Sequence, residues 1–185
     1  MVEINYVSMD ELEKGLDLIR QSPRDAGVLA MIVRRPEKGQ REVLDEGALN
    51  SAEGLVGDNW RLRPIPVAKD DPAYADNQVT VMNARLIDLV AQTKERWPLA
   101  GDQLYVDLDL SEDNLPPGTR LAVGAAVIEV TALPHTGCKL FLARFGLDAL
   151  TFVNSTTGKP LRLRGLNAKV VQPGVIRTGN VVRKL

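Results

Sequence analysis

The chain holds one cysteine and one histidine among 185 residues. An internal disulfide is therefore impossible, and the fold must rest on its own core. A structural zinc site of the Cys/His-rich kind is excluded for the same reason. Aromatic residues are scarce, at 4%. No block of like charge occurs, and 23 basic residues stand against 24 acidic ones, so no electrostatic footprint for nucleic acid stands out. The longest apolar runs fall far short of a membrane span. The first residues, with acidic Glu3 and Asp10, do not form a signal peptide. A glycine-rich phosphate loop, a metalloprotease helix and a Gly-x-Ser-x-Gly elbow are also missing. The expectation is a soluble cytoplasmic protein with neither a nucleic-acid nor a membrane partner.

The balance of 44% hydrophobic and 25% charged residues is that of a globular chain, and the length suits a single domain over 1–185. Ser8 and Glu11 have the spacing of a capping box, with Leu12, Leu16 and Ile19 at helical intervals, so a short helix is expected over Met9–Gln21. Gly27–Arg35 and Arg41–Leu49 read as partner strands around a turn. Asn50–Asp76, with Pro64, Pro66 and Pro72, reads as a long functional or mobile loop. Gln78–Met82 fits a strand, and Asn83 is a suitable N-cap for a helix running to about Arg96. Leu104–Leu108 alternates as a strand. Arg120–Leu133 alternates further, with Gly124 as a bulge or hairpin corner. Lys139–Arg144 and Leu147–Val153 suit short helices separated near Gly146. Asn167–Gln172 and Val175–Val182 read as closing strands around the turn Pro173-Gly174. Many strands with few helices predict a mostly β fold, a closed or nearly closed barrel with a few peripheral helices.

Cys138 stands in Pro134-His135-Thr136-Gly137-Cys138-Lys139. Free cysteine is among the most buried residue types, which favours a structural thiol. Its surroundings favour a reactive one. Pro134 and Gly137 interrupt the strand and place Cys138 on a loop leading into a helix. There the helix N-terminus and Lys139 would stabilise the thiolate, the form that acts as nucleophile and soft-metal ligand. His135 has two readings as well, a general base for that thiol or a loop residue bonded to backbone. Arg162 and Arg164 alternate in Leu161-Arg162-Leu163-Arg164-Gly165, so on a strand they would share one side. With Arg144 they form either a grip for phosphate or carboxylate or a solvated basic face. Gly165 would let a ligand come close to the backbone. Glu53, Asp58, Glu112 and Asp113 invite a divalent metal, but Glu53–Asp58 is more simply a turn whose carboxylates cap backbone groups.

Taken in order, several segments resemble the molybdenum-cofactor sulfurase C-terminal, or MOSC, domain. They are Glu53-Gly54-Leu55-Val56-Gly57-Asp58, the acidic loop Asp109–Leu115, Pro134-His135-Thr136-Gly137-Cys138, Arg164–Val170 and Gly174–Asn180. The match runs from about Gly27 to the C-terminus, with residues 1–26 as an N-terminal extension carrying the short helix. The resemblance implies a β barrel and involvement with a pterin-type molybdenum cofactor, bound permanently or in passing. Cys138 would carry sulfur as a persulfide for transfer to a metal-sulfur centre, or ligate molybdenum. The family's positively charged pocket would fall to Lys139, Arg144, Arg162, Arg164 and Gly165. Asn180 stands where the family often has aspartate. This sequence holds neither the pyridoxal-phosphate desulfurase domain of some relatives nor a redox domain, so the resemblance implies a separate sulfur-donor desulfurase or electron-donor protein. Two alternatives stand beside a cofactor-binding or sulfur-carrying role. One is a molybdenum-dependent reductase of N-hydroxylated compounds, and the other a non-catalytic barrel that binds a ligand or partner.

Overall fold

The computed structural model describes residues 6–63 and 68–185. In chain order its helices are α1 (Met9–Arg20), α2 (Ala84–Ala91) and α3 (Lys139–Val153). The strands are β1 (Ala26–Arg34), β2 (Glu42–Leu44), β3 (Glu46–Asn50), β4 (Gly54–Leu55), β5 (Val79–Asn83), β6 (Leu104–Asp107), β7 (Arg120–Val123), β8 (Ala126–Val130), β9 (Leu166–Gln172), β10 (Gly174–Arg177) and β11 (Val181–Lys184). Seven strands close a barrel in the order β1-β11-β7-β8-β9-β5-β6, and β6 pairs back onto β1. Strand β2 extends β1, while β10, β3 and β4 form a separate small sheet. The mostly β barrel with peripheral helices is thus the observed fold.

Strands β5 and β6 explain how the helices attach. They run parallel, which requires a crossover, and α2 supplies it. Every residue of β5 is buried, so neither face alternates with solvent. Val79 and Val81, with Leu104 and Val106 of β6, point into the barrel core. Met82 and Tyr105 belong to a second core between the wall and the helices, together with Leu12, Leu86, Phe141 and Phe145. Helix α1 starts at the expected capping box, in which Glu11 Oε2 accepts from the Ser8 backbone N–H at 2.9 Å.

Four expected elements differ. Arg41–Leu49 is not one strand: β2 pairs with β1, and β3 turns away to pair with β10. Val175–Val182 likewise splits into β10 and β11, one in each sheet. The helix after Asn83 ends at Ala91, where Gln92 takes a left-handed φ of 65°, and Lys94–Ala100 continues as a 3-10 segment. The supposed loop Asn50–Asp76 contains β4, a 3-10 turn at Trp60–Leu62 and the start of another at Pro72–Asn77. Pro64 and Pro66 lie outside the described residues. Between Lys139 and Val153 the expected break is present, because Gly146 has φ 87°.

Glycine is required where β1 meets β6. A Cβ on Gly27 would collide with the backbone carbonyl of Asp107, which cannot swing aside as a side chain can. Gly27→Ala should therefore cost about 1–3 kcal/mol, as overpacking does. Urea unfolding should show a lower midpoint at unchanged slope. An unchanged midpoint would refute this account of the β1–β6 contact.

Candidate functional site

The site is assembled around the carbonyl end of the 3-10 segment Lys94–Ala100. Four consecutive carbonyls there each accept from a different arginine. Arg41 Nε donates to Pro98 O at 3.1 Å, and Arg144 Nη1 donates to Leu99 O. Arg164 Nη2 donates to Ala100 O at 3.0 Å, and Arg35 Nη1 to Gly101 O at 2.8 Å. One step earlier, the Tyr105 hydroxyl donates to Trp97 O at 2.8 Å. The last carbonyls of a helical segment lack intrahelical partners and carry partial negative charge, so cations belong there. Gly101, at φ 89°, ends the segment. A Cβ built on it would stand 3.6 Å from Arg41 Nη2 and 3.8 Å from Arg144 Nη1.

Two of the four arginines are neutralised by buried carboxylates. Arg35 grips Asp58 through two parallel bonds, Nε to Oδ1 at 2.9 Å and Nη2 to Oδ2 at 2.7 Å. Asp58 Oδ2 also accepts from the Trp60 N–H at 3.0 Å. Arg164 Nη1 donates to Asp102 Oδ2 at 2.7 Å, and its guanidinium lies 5.1 Å from the centre of the Phe141 ring. Asp102 is fully buried, and its Oδ1 is 2.8 Å from His135 Nε2. Burial alone would raise the Asp102 pKa, but Arg164 and then His135 hold it well below the usual carboxylate range. An ionised carboxylate only accepts, so His135 Nε2 carries the ring proton and Nδ1 keeps its lone pair. Burial, and after it the charge of Arg164, pushes the His135 pKa below its ordinary value, with Asp102 offsetting part of this.

The remaining cations have no such partner. Among the described residues no carboxylate pairs with Arg41, Arg63 or Arg144. Burial, followed by the charges of Arg144 and Arg35, holds Arg41 below its ordinary value. The Arg63 guanidinium lies in the field of Arg35, Asp58, Asp102 and the Cys138 thiol. Five guanidinium groups against two carboxylates leave an excess of positive charge in this region, and Arg63 links it to the thiol. A guanidinium has five N–H donors. Arg144 spends one on a protein acceptor and Arg41 two, Nε on Pro98 O and Nη1 on Gln40 O, which leaves donors free for an anion.

Cys138 is exposed and is the N-cap residue of α3. Its exposure removes the buried structural thiol from consideration. The loop before it is tied down by Asn154, whose Oδ1 accepts from the Gly137 N–H at 2.9 Å. His135 turns its Nε2 to a carboxylate, whereas the sequence offered the thiol or the backbone as its partner. Lys139 is the exposed first residue of α3.

The strand reading of Arg162 and Arg164 is wrong. Residues 155–164 form consecutive turns, Arg162 has φ 47°, and the two side chains part. Arg164 goes to Asp102, while Arg162 Nη1 donates to Leu115 O at 2.6 Å, on the acidic loop. The missing side chain of Gly165 makes room for the Val81 carbonyl and for the His135 ring, whose Cδ2 would lie 3.2 Å from a Cβ. The acidic loop is tied to its neighbours and to itself: Asp109 Oδ1 accepts from Ser111 N–H, and Arg24 pairs with Asp109 and Asp113. Asn180 Oδ1 accepts from the Arg177 N–H at 2.7 Å, a turn role that aspartate would fill equally. No group of three or more His, Cys, Asp or Glu side chains among the described residues is placed to hold a metal ion.

Arg35, Arg41, Arg63 and Asp102 were not singled out by the sequence. A signal for the buried acids did exist, since Gly57-Asp58 and Gly101-Asp102 are its only two Gly-Asp dipeptides and each supplies one.

The His135 environment has a consequence for stability. In the unfolded chain the imidazole titrates near 6.5, and in the fold it titrates lower. The unfolded state therefore binds more protons across that window. The contribution is complete above about pH 6.5 and is lost as pH falls from there through the folded value. With one histidine in the chain, His135→Gln should flatten this slope between pH 7.5 and 5.5. Urea midpoints of both proteins measure it, and parallel slopes would contradict it.

The MOSC domain family model matches residues 69–183. No curated protein matches the sequence. Among solved structures, the YuaD protein from Bacillus subtilis is 14% identical with a TM-score of 0.61, over 85% of this chain and 94% of that one. YiiM from Escherichia coli is 19% identical with a TM-score of 0.53, over 85% of this chain and 69% of that one. YiiM from Geobacillus stearothermophilus is 16% identical with a TM-score of 0.52, over 88% and 73%. At these identities the likeness concerns the fold. The family model spans more than half of the chain and includes the cysteine loop, so this chain belongs to the MOSC domain family.

Proposed function

We propose that this protein binds a pterin-type molybdenum cofactor, or carries sulfur destined for such a metal-sulfur centre, through Cys138. The observation that carries this reading is an exposed thiol at the start of α3 together with a group of guanidiniums that no carboxylate pairs, one of which, Arg63, lies in the field of the thiol. The donor set suits the two ends of such a ligand. A thiolate is a soft donor for molybdenum or sulfur. Arg41, Arg63 and Arg144 offer planar charged donors for a phosphate. Arg164 adds a buried Nε without a partner, although its other nitrogens are committed to Asp102 and Ala100.

When bound, the cofactor would supply a soft metal-sulfur centre. The chain's own part is to hold and orient it. Arg41 and Arg144 are fixed by the carbonyls of Pro98 and Leu99, so little side-chain entropy remains to be lost on binding an anion. Cys138 is held at the helix start by the Gly137–Asn154 bonds. Sulfur for a persulfide, or electrons for a reductase, would come from a separate donor protein.

The test is molybdenum, pterin and sulfane-sulfur analysis of protein purified from a cofactor-producing host. Arg41→Ala or Arg144→Ala should weaken cofactor retention about tenfold to a hundredfold, equivalent to about 1.5–3 kcal/mol for a lost charge-assisted contact. Cys138→Ser should lose molybdenum if the thiol is its ligand. It should keep molybdenum and lose sulfane sulfur if the thiol is a carrier. A parent protein with none of the three would refute the proposal in favour of a non-catalytic barrel.

A further inference from the structure

Asp102 and His135 build a second chemical feature. His135 Nε2 is committed to Asp102. Its Nδ1 has no hydrogen-bond partner among the described residues, and it is not among the buried polar atoms left unpaired there, so it reaches solvent. The side chain as a whole is only 17% exposed. His135 lines a cleft of about 360 Å³, together with Thr136, Asn154, Arg162, Arg164 and Gly165, whereas Asp102 and Cys138 do not line it. The volume is within the range of small-molecule sites. Its walls are apolar at Leu133, Pro134, Val153 and Leu166.

We propose that this cleft is a binding site for a small protic molecule, one offering an N–H or O–H group to the Nδ1 lone pair of His135, with Asp102 as the residue that fixes the tautomer. Arg164 holds Asp102 ionised, and Asp102 holds the proton on Nε2. The lone pair therefore faces outward in a defined direction. If the bound molecule reacts, its X–H bond breaks, the electron pair stays on X, and the proton goes to Nδ1. The resulting imidazolium is offset in part by Asp102 directly behind it, whose charge Arg164 shares. The charged groups facing the ring are Asp102 before β6, Arg164 before β9 and, farther off, Arg35 at the end of β1. Glu112, Lys159 and Arg162 line the remainder of the cleft. This inference does not depend on what Cys138 carries.

A single histidine makes the test unambiguous, since every imidazole signal belongs to His135. Long-range proton–nitrogen NMR on the full-length, 15N-labelled protein at pH 7 should show Nε2 protonated and Nδ1 bare. Asp102→Asn should mix the tautomers. If that variant does not fold, the parent spectrum still decides, because a proton on Nδ1 overturns the proposal. Diethyl pyrocarbonate, which acylates unprotonated imidazole nitrogen, is the second probe. It should modify His135 in the native protein, and Thr136→Trp, at an exposed residue of the cleft rim, should slow that reaction at least tenfold while leaving the tautomer unchanged. A native histidine inert until the protein unfolds, or a rate indifferent to Thr136→Trp, would remove the cleft as a site. Loss of molybdenum or sulfane sulfur in Cys138→Ser, with the histidine chemistry intact, would bear on the cofactor reading alone.

Discussion

The site depends on four arginine side chains hung on four successive carbonyls. Like charges this close repel, and isolated they would splay into solvent. The carbonyls of Pro98, Leu99, Ala100 and Gly101 prevent that, since each takes one guanidinium hydrogen bond. A helical segment must satisfy its last carbonyls in some way, and here the solution doubles as an anchor for charge. The arginines come from far apart in the chain, from the end of β1, the segment before β2, helix α3 and the turn before β9. One short 3-10 segment thus gathers distant segments into one basic region.

Asp58 and Asp102 divide the arginines into two kinds. Arg35 and Arg164 are buried and paired, and they act as structure. Removing either carboxylate would strand a guanidinium in the interior, a loss of about 3–5 kcal/mol when one partner of a buried pair is deleted. Arg41, Arg63 and Arg144 keep unspent charge. The buried pairs let the others be positioned without being neutralised. Gln103 connects this layer to the barrel: its Nε2 reaches Asp58 and Gln78 O, and its Oε1 accepts from the N–H and hydroxyl of Thr80 on β5.

Local physics made much of the fold legible. The capping box at Ser8, the N-cap at Asn83, the hairpin corner at Gly124 and the break at Gly146 are all decided within a few residues, and the structure has them all. Errors arose where partner choice decided the outcome. Arg41–Leu49 has strand chemistry throughout, but nothing in it says that Glu42–Leu44 and Glu46–Asn50 join different sheets. The Arg162–Arg164 alternation is a true period of two on a segment that is not a strand, because Arg162 adopts φ 47° within consecutive turns. Cys138 was legible because glycine and proline punctuate the loop before it. Asp102 was not, since burial of an acid depends on a partner 62 residues away in Arg164.

The loop from Pro134 to Cys138 is where these constraints meet. Asn154 at the end of α3 holds Gly137 from both sides, donating to its carbonyl and accepting from its N–H. Gly137 can have no side chain without pressing on Leu150 and Val153, so the loop lies directly against the helix it leads into. His135 is fixed at the front of the same loop by a buried carboxylate, and Gly165 leaves its ring the space it occupies. Two residues therefore separate a tautomer-locked imidazole from an exposed thiol, with both ends of the intervening backbone pinned. Each group is rigid for a different reason, so a change that frees one, such as loss of Asn154, need not free the other. Rigidity of that kind holds two chemically distinct groups in fixed positions on one loop.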